Sequence, residues 1–161
     1  MKQQLTLRVN GREERVEAPT HHTLLEVLRG ELDLVGAREG CGVGMCGACT
    51  VLLDGRPVSS CLLLASEVRG RAIETVEGLA QDGRLHPIQQ AFVEETAFQC
   101  SFCTPGMLLA TKALLAENPD PTDEDVKDYL AGNLCRCGSY LKILAAVHNA
   151  ARRLRAAAPR E

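Results

Sequence analysis

Eight cysteines carry the chemistry this sequence can do: Cys41, Cys46, Cys49 and Cys61 in one half, and Cys100, Cys103, Cys135 and Cys137 in the other. Thiols in such number point to disulfides, zinc, redox catalysis or a metal cluster. Free pairing of eight thiols allows about 105 connectivities, and nothing in that reading requires an even split between halves. Two four-thiolate sites do require it.

The first three follow the spacing C-x4-C-x2-C, within EGCGVGMCGACTV, and Cys61 follows as a distant fourth. This is the plant-type ferredoxin arrangement for a [2Fe-2S] cluster. The loop must deliver thiolates from several directions while its N–H dipoles point at an anionic centre. Gly40, Gly42, Gly44 and Gly47 suit that task, because a missing Cβ permits positive φ and close backbone approach. Alone, Cys61 beside Leu62, Leu63 and Leu64 would read as a small buried hydrophobe; after three spaced thiols it reads as a ligand. The second quartet, Cys100-x2-Cys103 with Cys135-x-Cys137, can also enclose a metal, and its spacing leaves zinc and iron-sulfur both open. A redox-active Cys100/Cys103 pair is the weaker alternative, since the βαβ setting of thioredoxin-like motifs is missing.

The elements that must position these thiols differ between halves. Leu5 to Val9 alternates apolar and polar, Asn10-Gly11 is a tight hairpin turn, and Arg15 to Glu17 is the return strand. Thr23 caps a short helix through Leu24, Leu25 and Leu28 that ends at Gly30. Cys49 to Leu53, closed by Asp54-Gly55, and Ala72 to Val76 complete a small mixed sheet. In the second half Pro87 opens a helix reaching Phe98, Thr104 caps one that begins at Pro105, and Thr122 with Asp125 starts a third. A fourth runs from Ser139 through His148 into the tail RRLRAAAPRE, which reads as a fraying helix end. The boundary falls in GLAQDGR, dividing the chain into residues 1–77 and 78–161. The fold class is therefore α+β, a small sheet domain followed by an all-α four-helix bundle.

Composition excludes several roles. Basic and acidic residues number 18 and 21, well mixed, for a net charge of −3, so no field exists to hold nucleic acid phosphates. The longest apolar run, Cys61 to Ala65, is too short for membrane insertion, and no secretory signal precedes the first strand. A cytoplasmic, reducing location is expected. His21, His22, His86 and His148 lack metal spacing and read as surface or capping residues; Asp120 to Asp128 is a solvated helix face. No nucleophile, phosphate loop or dinucleotide fingerprint is present. No residue reads as catalytic.

Taken together, GCGVGMCGACTV, QCSFCTPGM and AGNLCRCGSYLKI resemble, in order and over nearly the whole chain, the small iron-sulfur subunit of the molybdenum hydroxylases, the xanthine oxidase family. The resemblance implies an N-terminal plant-type ferredoxin domain, β-grasp-like, and a C-terminal helical domain, each with one [2Fe-2S] cluster, which decides against zinc. Cys41, Cys46, Cys49 and Cys61 would hold the cluster facing FAD; Cys100, Cys103, Cys135 and Cys137 would hold the one facing molybdenum. Gln99 matches the residue that hydrogen-bonds the molybdopterin cofactor, and Cys137 the ligand lying close to it. Such a complex oxidises a substrate C–H with water as oxygen source, and this chain would relay the electrons from molybdenum to FAD.

Partners implied are a molybdopterin-binding large subunit, with the cytosine dinucleotide form of the cofactor, and an FAD-binding medium subunit, assembled as a dimer of heterotrimers. A stand-alone ferredoxin-like carrier is the alternative. The sequence departs from the family where Ser101 replaces a usual glycine and where Gly138-Ser139 replaces Thr-Gly. Met45 occupies a variable site of the first loop, where its soft side chain suits an interface or a shield for the cluster.

Overall fold

The computed structural model describes residues 1–157. The last four residues of the tail, 158–161, lie outside them. Strands β1 (Lys2–Val9) and β2 (Arg12–Pro19) form the hairpin, longer at both ends than the alternation alone requires. Its turn residues Asn10 and Gly11 both have positive φ, 50° and 78°, as a two-residue turn between twisted strands demands. Helix α1 (Leu24–Gly30) carries a full capping box: the Thr23 hydroxyl accepts from the Glu26 N–H, and the Glu26 carboxylate accepts from the Thr23 N–H. Those N–H and hydroxyl contacts hold the Glu26 carboxyl below its ordinary pKa.

Strands β3 (Thr50–Leu53), β4 (Arg56–Ser59) and β5 (Ala72–Glu74) complete a five-stranded sheet in the order β2-β1-β5-β3-β4. Only β1 and β5 pair in parallel, so the sheet is mixed. The sequence reading missed β4, whose Pro57 and exposed Arg56 mask the pairing across Asp54-Gly55. Strand β5 also stops at Glu74, short of the expected Val76, because residues Val76–Gly78 turn as a 3-10 helix.

Four helices form the second half: α2 (Pro87–Glu94), α3 (Thr104–Glu117), α4 (Asp123–Tyr129) and α5 (Tyr140–Ala157). Helix α2 ends before the expected Phe98. Thr96 adopts φ 48°, and the Ala97 N–H returns to the Phe92 carbonyl, closing a Schellman-type stop. The N-cap of α3 is Cys103 rather than Thr104, whose buried hydroxyl makes no hydrogen bond among the described residues. The Thr122/Asp125 capping box of α4 forms as expected. Helix α5 presents Ile143, Ala146, Val147, Ala150 and Ala151 on one stripe, and its alanines let α2 approach closely.

Helix α3 is apolar nearly all round and is the hub. Every residue from Pro105 to Leu115 is buried except Lys112, because one side meets the other helices and another meets β3. Strand β3 explains its own unbroken TVLL in the same way. Val51 and Leu53 enter the sheet's core with α1, whereas Leu52 points to the opposite face and joins the helical core. Lys112 escapes burial by reaching Glu74 of β5, an ion pair that ties the two halves together. No described helix is long and apolar enough to cross a membrane.

Candidate metal centres

The first loop, residues 36 to 49, has no regular secondary structure, and its backbone is spent on sulfur instead. The Val43 and Met45 N–H groups donate to Cys41 Sγ at 3.5 and 3.3 Å. These donors, joined by the Cys46 N–H, hold the Cys41 thiol down to about 6. Gly42, Gly44 and Gly47 have φ of 67°, 74° and 70°, the left-handed turns that aim those N–H groups inward. Cys61 arrives from a 3-10 turn, Ser60–Leu62, anchored by the Ser60 hydroxyl donating to the Cys49 carbonyl at 2.7 Å. Burial pushes the Cys61 thiol up to about 11.

The second quartet gathers at helix ends. Cys100 lies in the loop after α2, Cys103 caps α3, and Cys135 and Cys137 lie between α4 and α5. The Phe102 N–H lowers the Cys100 pKa, while burial pushes Cys103 up to about 12. Burial acts against ionising Cys135 too, but N–H donors from Ser139, at 3.4 Å, and Cys137 outweigh it with the help of Cys103, and its pKa falls. The Cys135 N–H donates to the Tyr140 hydroxyl at 2.9 Å, fixing this loop to the start of α5.

Within each quartet the thiols are close enough to perturb one another's ionisation: Cys49 and Cys41 both act to raise Cys61, and Cys135 and Cys100 both act to raise Cys103. Among the described residues no three Cys, His, Asp or Glu side chains converge on one ion. Four thiols in each place, with backbone N–H donors on Cys41 and Cys135 sulfur, would suit a [2Fe-2S] cluster. The surrounding N–H donors suit an anionic centre.

Each quartet has one buried thiol, Cys49 or Cys135, and others that reach the surface. Around the first, Val43, Met45 and Leu62 are exposed; around the second, Phe102, Leu134 and Tyr140 are. Met45 is 72% exposed, so its side chain neither binds nor covers the thiols within this chain. Gln99 is exposed at the second quartet, its amide donating to the Cys137 carbonyl at 3.3 Å. Ser101 takes φ 61°, so the tight turn between Cys100 and Cys103 forms without glycine. His86 caps α2 and His148 pairs with Asp123, so neither belongs to a metal site.

Sequence reasoning missed the seam between the two loops. The Leu134 N–H donates to the Cys46 carbonyl at 2.9 Å, linking a residue next to one quartet with a member of the other. Buried Asn133 donates from Nδ2 to the Gly47 carbonyl and to Thr50 Oγ1, both at 3.1 Å. Gly47 and Gly106 meet so closely that a Cβ on Gly106 would lie 2.3 Å from the Gly47 carbonyl oxygen. The sequence AGNLCRC shows an asparagine beside two cysteines, but not that it is buried against Gly47.

A family model described as "2Fe-2S iron-sulfur cluster binding domain" matches residues 7–80, and one described as "[2Fe-2S] binding domain" matches residues 75–148. The nicotinate dehydrogenase small FeS subunit of Eubacterium barkeri is 46% identical over 149 residues, spanning 92% of this chain and 95% of its own. The aldehyde oxidoreductase iron-sulfur-binding subunit PaoA of Escherichia coli is 43% identical over 91% of this chain and 71% of its own. Among solved structures, a chain of quinoline 2-oxidoreductase from Pseudomonas putida 86 superposes with a TM-score of 0.93 at 39% identity, over 97% of this chain and 98% of that one. In the aldehyde oxidoreductase of Desulfovibrio desulfuricans the matching part, TM-score 0.91 at 43% identity, covers 95% of this chain and 17% of a longer chain.

Proposed function

Because the chain belongs to the small iron-sulfur subunits of the molybdenum hydroxylases, the xanthine oxidase family, we propose that its eight cysteines hold two [2Fe-2S] clusters. Cys41, Cys46, Cys49 and Cys61 bind one cluster, and Cys100, Cys103, Cys135 and Cys137 bind the other. The observation that carries this assignment is one thiol quartet in each half, its sulfur met by backbone N–H donors, within residues matched by a [2Fe-2S]-binding family model. The chain is the electron-transfer subunit of a heteromeric oxidoreductase.

Each bound cluster supplies a one-electron couple between larger partner cofactors. The chain's own residues do three things for it. They supply thiolates, they aim N–H donors at sulfur so that the anionic centre is stabilised, and they bury one thiol per site while leaving the others near a docking face. Gln99 and Cys137 form the end that meets the molybdopterin cofactor; Val43, Met45 and Leu62 rim the end that meets the FAD subunit. The chain thereby relays electrons from the molybdopterin-binding large subunit to FAD.

We read the halves as residues 1–77, a β-grasp-like ferredoxin domain, and residues 78–161, a four-helix bundle formed by α2 to α5. The complex is read as a cytoplasmic dimer of heterotrimers, its large subunit carrying the cytosine dinucleotide form of molybdopterin. Assay of the purified complex tests this. About four irons and four acid-labile sulfides per chain, with two distinguishable paramagnetic signals on reduction, are expected. Zinc in place of iron, or purification as a lone carrier that reduces partners without flavin and molybdenum chains, overturns it.

A further inference from the structure

Arg38 stands three residues before Cys41 but spends its side chain on the other half of the molecule. Its backbone N–H donates to the Ala48 carbonyl at 3.0 Å, fixing its Cα to the far side of the first loop. Its Nη1 donates to the Ser101 carbonyl at 2.5 Å. Its guanidinium carbon also lies 5.4 Å from the centroid of the Phe102 ring. The same ring reaches the first loop, 3.6 Å from where a Cβ on Gly40 would stand. Ser101 and Phe102 are the two residues between Cys100 and Cys103. The guanidinium therefore lies on the backbone turn that joins two proposed ligands of the second cluster, in the seam between both sites.

Two features give this contact more than a packing role. Ser101 is held at φ 61°, a left-handed conformation that side chains other than glycine adopt only under strain, and its carbonyl is where Arg38 grips. No carboxylate pairs with Arg38 among the described residues, although seven ion pairs form elsewhere. A half-buried, uncompensated cation thus faces a site that becomes more negative on reduction.

We propose that Arg38 is a positioning and potential-setting residue for the second cluster: it locks the Cys100–Cys103 turn and its charge favours the reduced state. The inference rests on the cluster assignment above. A unit charge acting across roughly 12 Å, with an effective dielectric near 20, shifts a reduced-to-oxidised ratio on the order of tenfold, which corresponds to 59 mV for a one-electron couple; that is the scale expected for removing the Arg38 charge.

The experiment is a potentiometric titration, followed by paramagnetic resonance, of the intact complex carrying wild-type, Arg38→Met or Arg38→Lys chain. Wild type must first give two [2Fe-2S] signals; their absence sinks the assignment itself rather than this inference. With both present, Arg38→Met is expected to lower the second cluster's midpoint by about 59 mV, to move the first less, and Arg38→Lys to restore most of the loss. An unchanged midpoint in Arg38→Met overturns the proposal, and so does an equal shift in both variants, which would assign the effect to packing. Should Arg38→Met fail to load iron, Arg38→Lys decides alone: a midpoint close to wild type supports the charge, and a drop of the full 59 mV refutes it.

Discussion

Replacing Gly106 by alanine sets two physical effects against each other. Gly106 is the third residue of α3 and has no positive φ, so on helix propensity alone alanine would stabilise by up to about 1 kcal/mol. The seam says the opposite. The new Cβ would lie 2.3 Å from the Gly47 carbonyl oxygen, a backbone atom that cannot rotate away. That oxygen accepts three hydrogen bonds, from the Thr50 N–H at 3.1 Å, Thr50 Oγ1 at 2.7 Å and Asn133 Nδ2 at 3.1 Å. Reaching an ordinary contact distance moves the carbonyl by about 1 Å, enough to weaken all three, each worth about 1 kcal/mol net. Overpacking of this kind costs about 1–3 kcal/mol, so the net expectation is destabilisation by about 2 kcal/mol. Urea unfolding of the loaded protein, followed by far-ultraviolet dichroism and by the visible absorbance of the clusters, measures it. Gly132→Ala is the control, since its Cβ would meet nothing within 4 Å. A Gly106→Ala chain as stable as wild type, or more so, would refute the claim that the halves are held together by backbone contact at this point.

Three further outcomes follow from the same geometry. Asn133→Ala removes both amide hydrogen bonds at a position only 7% exposed, and should cost about 1–3 kcal/mol in the same urea experiment. His86 is held below its ordinary value of 6.5 first by burial and then by Lys112, and its Nδ1 must stay unprotonated to accept the Ile88 N–H at 3.3 Å. With the folded pKa below the unfolded one, the unfolded chain takes up the proton first; stability is complete above about 6.5 and is lost as pH falls through the folded value. His86→Asn caps α2 without titrating, so unfolding midpoints of wild type should fall faster than those of the variant between about pH 7 and pH 5; parallel curves would show that the cap does not titrate. Cys137→Ser should perturb one paramagnetic signal and leave the other, because the two quartets share no thiol; loss of both would instead indicate failed folding.

What was legible in the sequence was whatever its neighbours in the chain specify. Asn10-Gly11, the Thr23 cap and the Thr122/Asp125 box are local devices, and each appears where local rules place it. The misses have local causes as well: Thr96 takes a left-handed conformation that β-branched residues rarely adopt, so α2 stops early, and Pro57 disguises β4. The seam is different in kind. Asn133 contacts Gly47 across 86 residues and Arg38 contacts Ser101 across 63, separations at which periodicity and capping carry no information.

That seam decides how the two sites stand toward each other. Electron transfer falls steeply with distance, so a relay must fix the gap between its centres before any partner docks. A flexible linker between two independent domains would not do so. Here Cys46 and Cys135 belong to different halves, yet Leu134, bonded to Cys135, donates to the carbonyl of Cys46 itself. The neighbours of that bond are fixed in turn: Asn133 is buried against Gly47 and Thr50, Gly106 touches Gly47, and Gly106 belongs to α3, the helix buried on nearly every side. Leu52 of β3 completes the joint by packing into the helical core. The spacing between the clusters is therefore set by the same contacts that hold the halves together, and a substitution that loosens the seam should slow passage between the clusters before it empties either one.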